Sequence, residues 1–143
     1  MKHALALLAL LAGCATAPQP AIEPAGAPAP VPTARVENIA VASLMDSARS
    51  DTEAGQLASA AASLERAIRI EPRNPRLWHE LARVRLKQGD YAQTESVAAR
   101  SNSWAGGDNA LRAENWRLIA RSREARGDAT GAREALETAE RRR

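Results

Sequence analysis

Three short interruptions set the frame of this chain. Gly55-Gln56-Leu57, Gly89-Asp90-Tyr91 and Gly127-Asp128-Ala129 each break an otherwise helical pattern; the first two glycines stand 34 residues apart and the last two 38. Leu44, Trp78 and Trp116 each lie eleven residues ahead of their glycine, while Ala60 and Leu64, Thr94 and Ala98, and Ala132 and Leu136 follow at matching offsets. A period of this length marks one supersecondary unit used three times, each copy needing its neighbours to bury its apolar face.

The stretch Leu64 to Tyr91 shows what one period contains. Leu64, Ala67, Ile68 and Ile70 recur at helical spacing until Glu71-Pro72-Arg73-Asn74-Pro75 stops the run. Pro72 cannot continue a helix, and Asn74 is an N-cap followed by proline at the first helical position. Leu77, Trp78, Leu81, Ala82, Val84 and Leu86 give the next helix its apolar face, and Gly89 ends it. Asp90 caps a further helix, with Gln93 placed to complete a capping box. The pattern predicts an all-α fold of six helices paired into three hairpins.

Composition narrows the chemistry. Aromatic residues are 3% of the chain with no Phe, so small side chains rather than a bulky core must bring the helices together. The net charge of +3 comes almost entirely from arginine and is too small to argue for nucleic acid. One cysteine excludes an internal disulfide framework and any multi-cysteine metal site.

Three segments are expected in order. Lys2 and the apolar run from Ala4 to Ala12 read as a secretory signal over residues 1–13, well short of the about 20 residues a bilayer span needs. Pro18, Pro20, Pro24, Pro28, Pro30 and Pro32 then stand among alanines, and such a segment is expected to sample polyproline II. At about 3.1 Å per residue a tether over 14–35 reaches roughly 60 Å. A passive spacer fits this composition better than a proline-motif ligand. Helical patterning begins at Val36 and makes 36–143 the folded domain.

Leu11-Ala12-Gly13-Cys14 resembles the lipobox of bacterial lipoproteins at all four positions. The resemblance implies diacylation of the Cys14 thiol, cleavage after Gly13 and acylation of the new amine. An ordinary signal peptide with a chance cysteine is the alternative. Ala15 stands where the family's inner-membrane retention signal has an aspartate, which implies an anchor in the outer membrane, facing the periplasm.

The repeat resembles the tetratricopeptide repeat (TPR), a helix-turn-helix unit of 34 residues. Ala60, Leu64, Ala67 and Pro72 match in the first unit, and Trp78, Leu81, Ala82, Gly89, Asp90 and Tyr91 in the second. Trp116, Ala120, Gly127, Ala132, Leu136 and Ala139 match in the third. The resemblance implies a short right-handed superhelix of three TPR-like hairpins, with an irregular helical bundle as the alternative. Three departures carry expectations. Ser47 replaces a large residue, which predicts a frayed leading helix. Thr94 replaces a small alanine. Ala105 to Asp108 insert four residues, so that Gly106-Gly107-Asp108 breaks the regular superhelix and Asp108 caps a longer fifth helix. Trp78, Trp116, Leu64 and Leu136 are expected to fill gaps between alanines, with Trp104 over the seam to the third hairpin. Arg141-Arg142-Arg143 are expected to form a solvated helix end whose charge suits the dipole.

No catalytic constellation emerges. His79 is the only histidine beyond residue 13, so no His-based metal site is expected, and a lipidated Cys14 is no nucleophile. Lys87 near a helix end has no apolar pocket to activate it. The expected function is docking, with no cofactor, no metal and no nucleic acid. In TPR arrays the first helix of each unit lines a concave groove. Here the lining would be Met45, Arg49 and Glu53, then Arg76, His79, Arg83, Leu86 and Lys87, then Glu114, Arg117, Arg121 and Glu124. Its basic middle suits a protein segment with acidic groups. An arginine-rich sequence placing arginines on every face is the bland alternative. The lysine-and-asparagine carboxylate clamp of some TPR domains is not recognisable.

The run Ala99-Arg100-Ser101-Asn102-Ser103, continued by Ala105 to Asp108 and Asn115 to Ala120, is more particular than repeat consensus. It is similar to the TPR lipoproteins that activate class A penicillin-binding proteins in pseudomonads and their relatives. The resemblance implies an adaptor that stimulates peptidoglycan synthesis. A scaffold for pilus secretin assembly, a scaffold for cell-wall hydrolases, and a domain that only self-associates are the other readings.

Overall fold

The computed structural model describes residues 33–142. They form six helices and no strand: α1 (Thr33–Glu53), α2 (Leu57–Ile70), α3 (Pro75–Lys87), α4 (Tyr91–Trp104), α5 (Asn109–Ala125) and α6 (Ala129–Glu140). Each odd helix packs along the even helix that follows, giving three hairpins. These stack through α2 on α3 and α4 on α5, and α3 also meets α5 directly.

Local chemistry explains the boundaries. Gly55, Gly89 and Gly127 all take left-handed φ, at 75°, 76° and 82°, so one turn geometry serves all three hairpins. The side chain of Asn74 accepts from Arg76 N at 3.1 Å, with Pro75 opening α3. Asp90, Asp108 and Asp128 cap α4, α5 and α6 by accepting from Gln93, Leu111 and Gly131 N–H groups. The four-residue insertion turns through Gly106 at φ 53°, and the helix that Asp108 caps has 17 residues against 13 in α3, as expected. At the far end, α6 stops at Glu140 and Arg141 lies 3.8 Å from Glu137.

The core is alanine-rich and falls into two clusters. One joins Val41, Ala48, Ala60, Leu64, Ala67 and Ile68 to Leu77, Leu81 and Val84 of α3. The other joins Ala82 and Ala98 to Leu118, Ile119, Ala120 and Ala135. Small residues let the backbones approach, and the larger ones interdigitate between them.

Four expectations need correction. The first helix is not frayed at Ser47: α1 runs through it, and the Ser47 hydroxyl donates to Ser43 O at 3.0 Å. Leu136 fills no gap and is 46% exposed, because no described helix covers that side of α6. Trp104 is 38% exposed and stands outside the cluster at the seam to the third hairpin; the Arg73 guanidinium lies over its ring, 5.4 Å from the centroid. Trp78 and Trp116 are only half-buried and pack against the edges of the two clusters. Arg100 lies over Trp78, whose indole N–H donates to Pro72 O at 2.8 Å.

Candidate protein-docking groove

The first helices of the hairpins, α1, α3 and α5, carry the side chains expected to line a groove, and the structure sorts them into recesses. Between α1 and α3 a recess of about 320 Å³ is walled by Met45, Arg49 and Glu53 on one side and Glu80, Arg83 and Lys87 on the other. Between α3 and α5 a second recess of about 340 Å³ brings together His79, Arg83, Glu114, Arg117 and Arg121. Arg117 and Arg121 also border a third, between α5 and α6, with Glu124 and Arg133. Arg83 links the first two recesses, and Arg117 and Arg121 link the last two.

Two expected lining residues stand elsewhere. Arg76, at the start of α3, reaches to 3.7 Å from Asp108 in the turn before α5. Leu86 packs against the second apolar cluster rather than facing the groove. Cys14 lies outside the described residues.

The charges are only partly cancelled. Arg49 pairs with Asp46 and Arg83 with Glu80, both at 3.1 Å between exposed groups, so water screens much of each attraction. Lys87, Arg117 and Arg121 make no ion pair among the described residues. The first recess balances Arg49, Arg83 and Lys87 against Glu53 and Glu80. The third sets Arg117, Arg121 and Arg133 against Glu124 alone. Positive potential therefore grows toward the C-terminal hairpin.

His79 belongs to the wall behind the groove. The residue is 8% exposed, and Nδ1 lies 2.8 Å from Asn115 Oδ1. A carbonyl oxygen only accepts, so the ring donates from Nδ1 and turns Nε2 toward Glu114 at 3.5 Å. Asn115 Nδ2 donates to Ser101 Oγ at 2.8 Å and to Asn102 Oδ1 at 3.0 Å. Ser101 Oγ in turn donates to Pro75 O at 2.8 Å. This buried chain ties α3, α4 and α5 together and holds the second recess in shape. Sequence reasoning did not find the network, although Ser101, Asn102 and Asn115 all lie in the run that departs from repeat consensus. Glu95 of α4 adds an outer clasp, accepting from Arg123 at 3.1 Å and Arg126 at 2.8 Å. Among the described residues no three His, Cys, Asp or Glu side chains converge as metal ligands do.

Residues 51–114 match the family described as Tetratricopeptide repeat. Among solved structures, the globular C-terminal domain of P. aeruginosa LpoP is 50% identical in sequence with a TM-score of 0.69, over 70% of this chain and 94% of that one. The chain belongs to the LpoP family of tetratricopeptide-repeat proteins. Comparison with curated proteins finds no match. The LpoP match bears out the three-hairpin architecture and the family resemblance drawn from the sequence.

Proposed function

We propose that this chain is an outer-membrane-anchored periplasmic adaptor that binds a class A penicillin-binding protein and activates it, with no chemistry of its own. The observation that carries the reading is the LpoP match, 50% identical over 94% of that domain. The groove supports it: Lys87, Arg117 and Arg121 offer uncompensated cations to an acidic segment of a partner. A lipid on Cys14 would hold the chain at the outer membrane, and a tether reaching roughly 60 Å would carry the domain toward an enzyme of the inner membrane. Activation requires only that the domain bind the enzyme's active conformation more tightly than its resting one.

The test is glycan polymerisation by a purified class A synthase from the same cell, titrated with the full chain. A saturable rise in rate, with complex formation in a pull-down, is the expected result. Absence of both binding and a change in rate would remove the reading. Separately, Cys14→Ala should move the chain from the membrane fraction to the soluble one; a variant still sedimenting with membranes would refute the anchor.

A further inference from the structure

The two ends of the hairpin stack are finished differently. Helices α3 and α5 each meet the preceding hairpin through a stripe at positions i, i+4 and i+7: Leu77, Leu81 and Val84 in α3, Asn115, Ile119 and Ser122 in α5. All six are buried. In α1 the same repeat positions hold Ser43, Ser47 and Ser50, and all three are exposed. The leading end is thus polar along these three positions, which explains the departure from consensus at Ser47, although Ile39, one turn earlier, is 64% exposed.

The trailing end is surfaced for a helix. Nine residues after each turn glycine stand Leu64, Ala98 and Leu136. Leu64 is 2% exposed and Ala98 0%, beneath α3 and α5 respectively, whereas Leu136 is 46% exposed. Ala120, Ala132 and Leu136 line a cleft of about 580 Å³ between α5 and α6. Their counterparts Ala48, Ala60 and Leu64 in the first hairpin are the seat on which α3 lies, and all are buried.

Charge defines the missing occupant further. Where α5 sits on the second hairpin, its Glu114 faces His79 at 3.5 Å, and its Arg123 pairs with Glu95 at 3.1 Å. In the third hairpin the position of His79 is held by Arg117 and that of Glu95 by Arg133, both lining the cleft. A helix seated there meets Arg117 on one flank and Arg133 on the other. On that second flank Glu137, the counterpart of the Glu65 that pairs with Arg85 at the first seam, has Arg141 at 3.8 Å as its own partner. The seated helix therefore needs a carboxylate at i−1 and another at i+8 around its small or apolar stripe. A second copy stacked head to tail would offer the serine stripe of α1, with Ile39 one turn earlier and Asp51 at i+8, but Ala42 at i−1 would leave Arg117 without its carboxylate. The chain's own tether has six prolines between residues 18 and 32, at odds with an uninterrupted helix.

We infer that the α5–α6 cleft is a docking site for an amphipathic helix of a partner protein, apolar along one stripe and acidic on both flanks, seated where the first helix of a further hairpin would lie. Only the partner's identity as a synthase rests on the adaptor reading above.

The probe is a labelled synthetic peptide with the sequence of α3, Pro75 to Lys87, whose stripe is apolar, carrying Arg76→Glu and Arg85→Glu so that both flanks are acidic. Fluorescence anisotropy against the full chain should show saturable binding, roughly tenfold weaker for Leu136→Glu and for Arg133→Glu. The peptide with its original Arg85 should recover binding to Arg133→Glu. Ser47→Glu, at the finished end, should bind as wild type, with circular dichroism and melting temperature unchanged in every variant. No binding up to about 1 mM overturns the proposal, as does an equal loss for Ser47→Glu. So does concentration-dependent self-association that Leu136→Glu abolishes, which would make a second copy the occupant. With the purified synthase, Leu136→Glu should bind about tenfold more weakly than wild type, and equal binding overturns the assignment to a partner. If the synthase ignores even the wild-type chain while the peptide binds, the adaptor reading falls and the docking site stands.

Discussion

Asn115 occupies the repeat position that α3 fills with Leu77, and this exchange gives the second seam a different character from the first. Its amide reaches His79, Ser101 and Asn102 at once, so truncation strands several polar groups away from water. Asn115→Ala should destabilise the fold by about 2–3 kcal/mol, measured by urea unfolding. The paired change His79→Leu with Asn115→Leu removes both partners and should cost much less than the two single changes added. Additive losses would show that the network contributes no more than its parts. Side chains such as Asn74, Asp90 and Asp108 were legible in the sequence because a cap bonds within three residues of itself. The burial of Trp104 and Leu136 was not, because it depends on which helix lies opposite.

Among the elements, turns and caps carry the clearest signals. Gly89 sits at φ 76°, and a Cβ built there would touch only the Tyr91 hydroxyl, at an ordinary 3.9 Å. The cost of Gly89→Ala is therefore conformational, about 1 kcal/mol. Gly107, in the inserted turn, has no left-handed φ and nothing within 4 Å of a built Cβ. Gly107→Ala should be neutral or stabilising by about 0.4–1 kcal/mol. Thermal unfolding of the pair checks the contrast, and equal losses would contradict it. Helix α1 shows where consensus reasoning misled. Ser47 disfavours packing against a preceding hairpin but not helix formation, and Val41 and Ala48 on another face of the helix are buried against α2 and α3.

Across the whole molecule both seams have an apolar centre and an ion-paired edge. Arg85 pairs with Glu65 at the first, Arg123 and Arg126 with Glu95 at the second, and the second adds the buried network around Asn115. In such nearest-neighbour stacks each interface contributes separately to stability. Positive charge collects toward the third hairpin, around Arg117, Arg121 and Arg133. Reversing Arg117 and Arg121 to Glu should weaken binding of the proposed synthase about tenfold at low ionic strength, mostly through the association rate. Surface plasmon resonance should show the gap narrowing as salt screens the wild-type attraction. A loss independent of salt would point to damaged packing instead.

Periodicity and end signals by themselves determined six helices, their pairing, their turns and most of their caps, since these depend on residues close together along the chain. The assignment to the first helices of the side chains flanking the recesses followed from the same period. Tertiary structure alone decided which of those cations stay unpaired, which polar groups close into a network, and which end of the stack remains uncovered. Each of these is a relation between helices distant in sequence. A repeat fixes where a side chain sits in its unit, but whether it is buried, as at Leu64, or open to water, as at Leu136, depends on the neighbour that lies over it.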